Sequence, residues 1–174
     1  ATSGKPRALD IQMLSLTGGI VHIRRFRLGE DRALFEIYYS AIHLAASRDY
    51  SPEQINAWAP VDLDQGLWAK KMRDINPFVA EINGKIVGYA DVQPSGYIDH
   101  FFVSGYHQGQ GIGKLLMSTL HGEAASLGLT ELTSDVSRTA QPFFEKFGFG
   151  IIEQRAPELR GVVIPNALMR KVLP

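Results

Sequence analysis

The chain has no cysteine among its 174 residues. That excludes disulfides, thiolate metal sites and a cysteine nucleophile, so any thiol chemistry would have to come from a bound molecule. Charge of one sign is also missing. The 18 basic residues match the 18 acidic ones, leaving no global field to draw the protein onto nucleic acid or an anionic membrane, although a local basic pocket stays open. No apolar run approaches membrane-spanning length. Lys5 and Arg7 precede only a broken apolar stretch around Ile11 to Leu16 and then Gly18-Gly19, a poor secretory signal. A cytoplasmic location is the expectation. A hydrophobic content of 45% over this length suits one compact domain with a sizeable core.

Periodicity and punctuation give alternating elements. Ile20 to Arg24 reads as a strand, and a helix follows from the acids at Glu30-Asp31 to about Ala46. Ser51-Pro52-Glu53-Gln54 combines a capping hydroxyl, Pro at the first helical position and Gln three residues after the cap. A second helix therefore starts there and breaks at Pro60. A third spans Asp64 to Arg73, and Pro77 precedes a strand from Phe78 to Ile82. Asn83-Gly84 predicts a tight hairpin, Lys85 to Val92 returns antiparallel, and Tyr97 to Val103 completes a meander. Farther on, a helix ends near Gly128, Leu129 to Val136 is a strand, and Thr139 to Phe147 is a short helix. Strands Phe149 to Arg155 and Ala167 to Val172 close the sheet around a loop from Pro157 to Pro165.

The most specific segment is Gln108-Gly109-Gln110-Gly111-Ile112-Gly113-Lys114, set between the Tyr97 to Val103 strand and a helix marked by Leu115, Leu116, Leu120 and Ala124. A glycine-rich strand-to-helix turn gathers free N–H groups and the positive end of a helix dipole, which favours a polyanion such as pyrophosphate. Two nucleotide motifs fail on spacing. A Walker A loop needs Gly where Gln108 stands, and the dinucleotide fingerprint counted from Gly109 needs Gly where Lys114 stands.

Gln108, Gly111 and Gly113 instead match Q/R-x-x-G-x-G/A, and Ala140-Gln141-Pro142-Phe143-Phe144-Glu145-Lys146-Phe147-Gly148-Phe149 resembles A-x-x-F-Y-x-x-x-G-F. In that order and at that separation the two motifs resemble the GNAT superfamily of acetyl-CoA-dependent N-acetyltransferases. The looser likeness runs from about Ile20 to Leu173. A single acetyltransferase domain is expected over residues 17–174, with residues 1–16 as an extension, disordered or tag-derived. The resemblance implies an α/β fold: a mixed, largely antiparallel sheet flanked by helices, whose central strands splay to admit pantetheine. It implies acetyl-CoA as co-substrate and no metal, with main-chain bonds from Phe101, Phe102 and Val103 to pantetheine. The amides of Gln108, Gly109, Gln110, Gly111, Ile112, Gly113 and Lys114 would hold the pyrophosphate, and Ser137 and Phe144 would meet the cofactor. Ordinary burial is the competing reading for the Phe101 and Phe102 side chains. The resemblance also allows a homodimer, which no residue pattern here specifies.

Amine acetylation needs a proton acceptor, a donor for the developing oxyanion and a proton for the departing thiolate. Family members commonly carry a carboxylate or histidine on the strand before the glycine loop, so Asp99, with Tyr97 beside it, is the expected catalytic pair. Strand alternation would turn His100 to the opposite side. Phe144 stands where a Tyr is often the acid and cannot donate a proton. That departure keeps a non-catalytic acetyl-CoA sensor among the readings. Tyr39, Tyr50 and Trp58 are the expected substrate residues, within an aromatic set with Tyr38, His43 and Trp68 suited to a cation; helix-face burial is the alternative for each. A small primary amine is the expected acceptor, with a protein N-terminus or lysine as the alternative that would require an open groove.

Overall fold

The computed structural model describes Met13–Leu14 and residues 19–174. The extension expected over residues 1–16 lies outside that range except for Met13–Leu14, which forms strand β1 and pairs antiparallel with Ile20 and Val21 of β2 (Ile20–Arg25). Helix α1 (Asp31–Ser40) follows. Ala41–Ala45 continue it as a π-helical turn and Ala46–Arg48 as a 3-10 turn, so the expected helix persists past Ala46 with its pitch altered. Helix α2 (Pro52–Trp58) carries the full capping box. The Ser51 side chain accepts from Gln54 N–H at 3.2 Å, and Gln54 Oε1 accepts from Ser51 N–H at 2.9 Å. Asp64 caps α3 (Gln65–Ile75) through the Gly66 and Leu67 amides.

Strands β3 (Phe78–Ile82) and β4 (Lys85–Ala90) form the Asn83-Gly84 hairpin, both turn residues having positive φ (51° and 78°) as its tight geometry requires. A bulge at Val87 shifts the register of β4 against β3. Val87 thereby joins the core on one side of the sheet, while Tyr89 is buried on the other with α1 and α3.

The expected continuous strand from Tyr97 to Val103 is broken. Tyr97–Ile98 form β5, which pairs parallel with β7 (Glu131–Ser137), whereas Phe101–Val103 form β6, which pairs antiparallel with β4. One chain segment thus serves two sheets and changes allegiance at Asp99-His100. The first sheet runs β1-β2-β3-β4-β6. The second runs β5-β7-β11-β8, with β8 (Gly150–Arg155) and β11 (Asn166–Val172) antiparallel. The mixed, largely antiparallel sheet with splayed central strands is therefore present.

Helix α4 (Ile112–Ser126) packs Ile112, Leu116 and Leu120 against one sheet face, together with Phe144 of α5 (Gln141–Lys146). Helices α1 to α3 cover the other face through Leu34, Trp68 and Met72. The stretch expected as a plain loop from Pro157 to Pro165 contains a small hairpin, β9 (Glu158–Leu159) and β10 (Val162–Val163), whose turn places Arg160 and Gly161 at positive φ. Strands of two residues are too short for alternation to register in the sequence. Among the described residues no helix is long and apolar enough to cross a membrane.

Candidate active site

The splay opens a groove of about 410 Å³ between β6 and the end of β7. Its walls include Phe101, Phe102, Val103, Ser137 and every residue from Gln108 to Lys114. The loop between β6 and α4 is pinned by a side chain: Gln108 Nε2 donates to the carbonyls of Val103 and Ser104 at 2.8 and 3.2 Å. Gly109 and Gly111 take φ of 71° and 80°, a region that only glycine enters freely. A Cβ on Gly109 would project into open space, whereas one on Gly113 would press on the Phe143 ring at 3.2 Å. The two glycines therefore serve different ends, backbone shape at the first and close helix packing at the other. Leu115 N–H bonds to Gly111 O, so the amides ahead of it in the first turn are directed out of the helix end. Arg48 and Lys114 line the same groove and add positive charge.

Phe144 is not where the resemblance implied. It is 2% exposed and packs among Phe101, Phe143 and Phe149 in the core, and the groove wall is formed by its neighbour Phe143. A five-residue spacing cannot say which of two adjacent rings faces inward. Arg48 and His107 also line the groove and went unread, because neither lies in a motif.

A second cavity of about 240 Å³ is lined by Tyr38, Tyr50, Trp58, Asp99, His100, Phe102, Asp135, Ser137, strand β9 with the flanking Pro157 and Ile164, and Asn166. It shares Trp58, Phe102 and Ser137 with the groove. Asp99 is present as expected, ion-paired to Lys71 Nζ of α3 at 2.5 Å. His100 lines the same cavity, so the two side chains are not on opposite sides. Alternation applies within a strand, and both residues lie at the break between β5 and β6.

The expected partner Tyr97 points elsewhere. Its hydroxyl donates to Asp135 Oδ2 at 2.8 Å, it lies outside the linings of both cavities, and burial with the Asp135 bond holds it protonated well above the usual phenol range. Tyr39 stacks on His43 at 3.9 Å and lines neither cavity. Tyr50 and Trp58 do line the second cavity, packed edge to face. Tyr50 is fixed between Pro165 O, to which its hydroxyl donates, and the Arg138 amide, from which it accepts at 2.9 Å.

Burial pushes His100 down to about 4, so it is neutral at physiological pH, with Nδ1 2.9 Å from the Tyr89 hydroxyl. Asp135, bound by Tyr97 and by Arg155 at 2.8 Å, also lines this cavity and went unread, as did Glu158, Leu159 and Ile164.

Comparison with known proteins agrees with this architecture. Residues 46–171 match the family model described as Acetyltransferase (GNAT) domain. The chain is 35% identical over 150 residues to YafP of Escherichia coli strain K12, named an uncharacterized N-acetyltransferase, covering 86% of this chain and 95% of that one. It superposes with a TM-score of 0.83 and 27% identity on a GCN5-related N-acetyltransferase from Rhodopseudomonas palustris, covering 87% and 94% of the two chains. The PaiA N-acetyltransferase of Thermoplasma acidophilum, solved with coenzyme A, shares the fold at a TM-score of 0.66 and 16% identity over 88% and 99%. The chain belongs to the GNAT family of acetyltransferases.

Proposed function

We propose that this acetyltransferase moves the acetyl group of acetyl-CoA directly to the primary amine of a small molecule. The observation that carries this reading is the junction of the two cavities at Trp58, Phe102 and Ser137. One cavity has the glycine loop and two cations suited to a pyrophosphate; the other has aromatic rings and a carboxylate suited to an amine. The groove fits coenzyme A by its own features, namely an open space at Gly109 and a helix N-terminus flanked by Arg48 and Lys114. When bound, acetyl-CoA supplies the activated acyl thioester. Phe101 and the Val103 N–H would offer main-chain groups to it on the splayed edge of β6, the Val103 carbonyl being taken by Gln108, and the loop amides would hold its phosphates.

In the second cavity the rings of Tyr50 and Trp58 favour a cationic amine. Asp99, ion-paired to Lys71, would accept its proton, directly or through water. The small-molecule reading draws on the hairpin over this cavity. Arg160 Nη1 donates to Ala57 O at 2.7 Å, and Gln54 Nε2 donates to Val163 O at 3.0 Å, tying the hairpin to α2 and narrowing the approach that a protein chain would need.

The test is release of the coenzyme A thiol across a panel of polyamines, aminoglycosides, amino acids and peptides, with thermal shift in parallel. Turnover with one class of small amine is the expected result. Turnover confined to peptides would transfer the assignment to protein acetylation, and no response to acetyl-CoA in either assay would overturn the reading of the groove.

A further inference from the structure

Asp91 immediately follows β4 and is 1% exposed, the one acidic or basic residue in the buried set of the described chain. Its surroundings explain why a carboxylate is there. Asp91 N–H donates to His100 O at 3.1 Å, which continues the β4–β6 ladder by one bond. The ladder resumes with Gln93 N–H to Tyr97 O at 2.9 Å, so Val92 alone stands opposite Ile98 and Asp99 in a bulge, at the point where β5 has turned to pair with β7. The Asp91 carboxylate serves the amides of this bulge: Oδ1 accepts from His100 N–H at 2.6 Å, and Oδ2 accepts from Asp99 N–H at 3.4 Å and from Gln93 Nε2 at 2.8 Å. Gln93 Nε2 also donates to Ile75 O at the end of α3, the helix whose Lys71 holds the Asp99 side chain. A carboxylate offers two oxygens and no donor, which is what two adjacent amides and a side-chain amide require.

We propose that Asp91 is a positioning residue for acyl transfer: its carboxylate takes up the amides left over at the bulge and fixes the backbone at Asp99-His100, and so the two side chains that face the acceptor cavity. This rests on the reading of that cavity given above. Asp91 touches neither substrate nor cofactor, as it lines neither cavity. Burial raises it to about 6, so the acceptor strength felt by the two amides changes within the working pH range. Asp99 and His100 from the β5–β6 break and the Tyr89 hydroxyl from β4 are the other titratable groups facing it, with the Lys71 ammonium of α3 behind Asp99.

Asp91→Asn keeps the shape but sets an amide donor against a donor. The expected result is a kcat at least tenfold lower, with the acetyl-CoA KM and the calorimetric Kd for coenzyme A within twofold of the parent. Ser134→Ala, which removes another buried bond beside β5 (Ser134 Oγ to Ile98 O, 2.8 Å), should lower Tm without that split. In NMR of the parent, the His100 amide proton should move with pH at a midpoint near 6, in step with the Asp91 carboxyl carbon, and stay still in Asp91→Asn. An unchanged kcat, or an acetyl-CoA KM that rises along with the fall in kcat, would overturn the proposal. If Asp91→Asn does not fold, the parent titration decides, and a silent His100 amide sinks it. Failure of the parent to acetylate any amine would instead strike at the proposed function, leaving the amide titration to judge Asp91.

Discussion

At the scale of single residues, the two adjacent phenylalanines of α5 divide a task that the sequence motif merges. Phe143 forms groove wall against Gly113, and Phe144 is core. Restoring the family tyrosine by Phe144→Tyr should therefore bury a hydroxyl among rings, costing about 1–3 kcal/mol, and lower Tm without raising kcat. A parallel measurement of melting and turnover checks both halves. Asp99→Asn should reduce kcat about a hundredfold or more, the usual worth of a positioned proton acceptor, while the Kd for coenzyme A is kept. Gly111→Val, which forces a branched side chain to φ 80°, should weaken coenzyme A binding at least tenfold by calorimetry. The glycine loop, Asp99, Tyr50 and Trp58, chosen by residue type and motif, do line the two cavities. Tyr97 and Tyr39 were misread, since reach toward a cavity depends on strand breaks and ring packing that no local pattern encodes.

At the scale of elements, the sequence predicted nearly all helices and strands, and the capping box, the Asn83-Gly84 turn and Gly128 marked their ends with identifiable chemistry. It did not predict the division of one apparent strand into β5 and β6. Apart from Asp99, Tyr97 to Val103 has strand composition, and what breaks it is a choice between two partners, the preceding β4 and the distant β7. The β9–β10 hairpin escaped for a similar reason, as it is held by α2 more than by its own four paired residues. Arg160→Ala should loosen it. Loss of one hydrogen bond of about 1 kcal/mol would raise the acceptor KM roughly fivefold and leave the acetyl-CoA KM unchanged, as read from initial rates with each substrate varied in turn.

At the scale of the whole molecule, two buried groups near the splay set opposing pH dependences of stability. Asp91 rises from 3.8 to about 6 on folding, so its contribution is complete below 3.8 and lost as pH climbs through 6. His100 falls from 6.5 to about 4, so its contribution is complete above 6.5 and lost as pH drops through 4. Near pH 5 the folded chain carries its proton on Asp91 and the unfolded chain on His100, and the two slopes cancel. Urea midpoints should accordingly stay flat from about pH 4.5 to 6 in the parent, rise with pH in Asp91→Asn and fall with pH in His100→Gln; parallel curves for all three would refute this pairing.

The common wall of Trp58, Phe102 and Ser137 between the two cavities has a pharmacological consequence. A single compound in which coenzyme A is tethered to the acceptor amine through a bridge of acetyl length would occupy both chambers at once. Because tethering forgoes a second loss of translational freedom, such a compound should outbind either fragment by orders of magnitude, and its tightest version would name the acceptor.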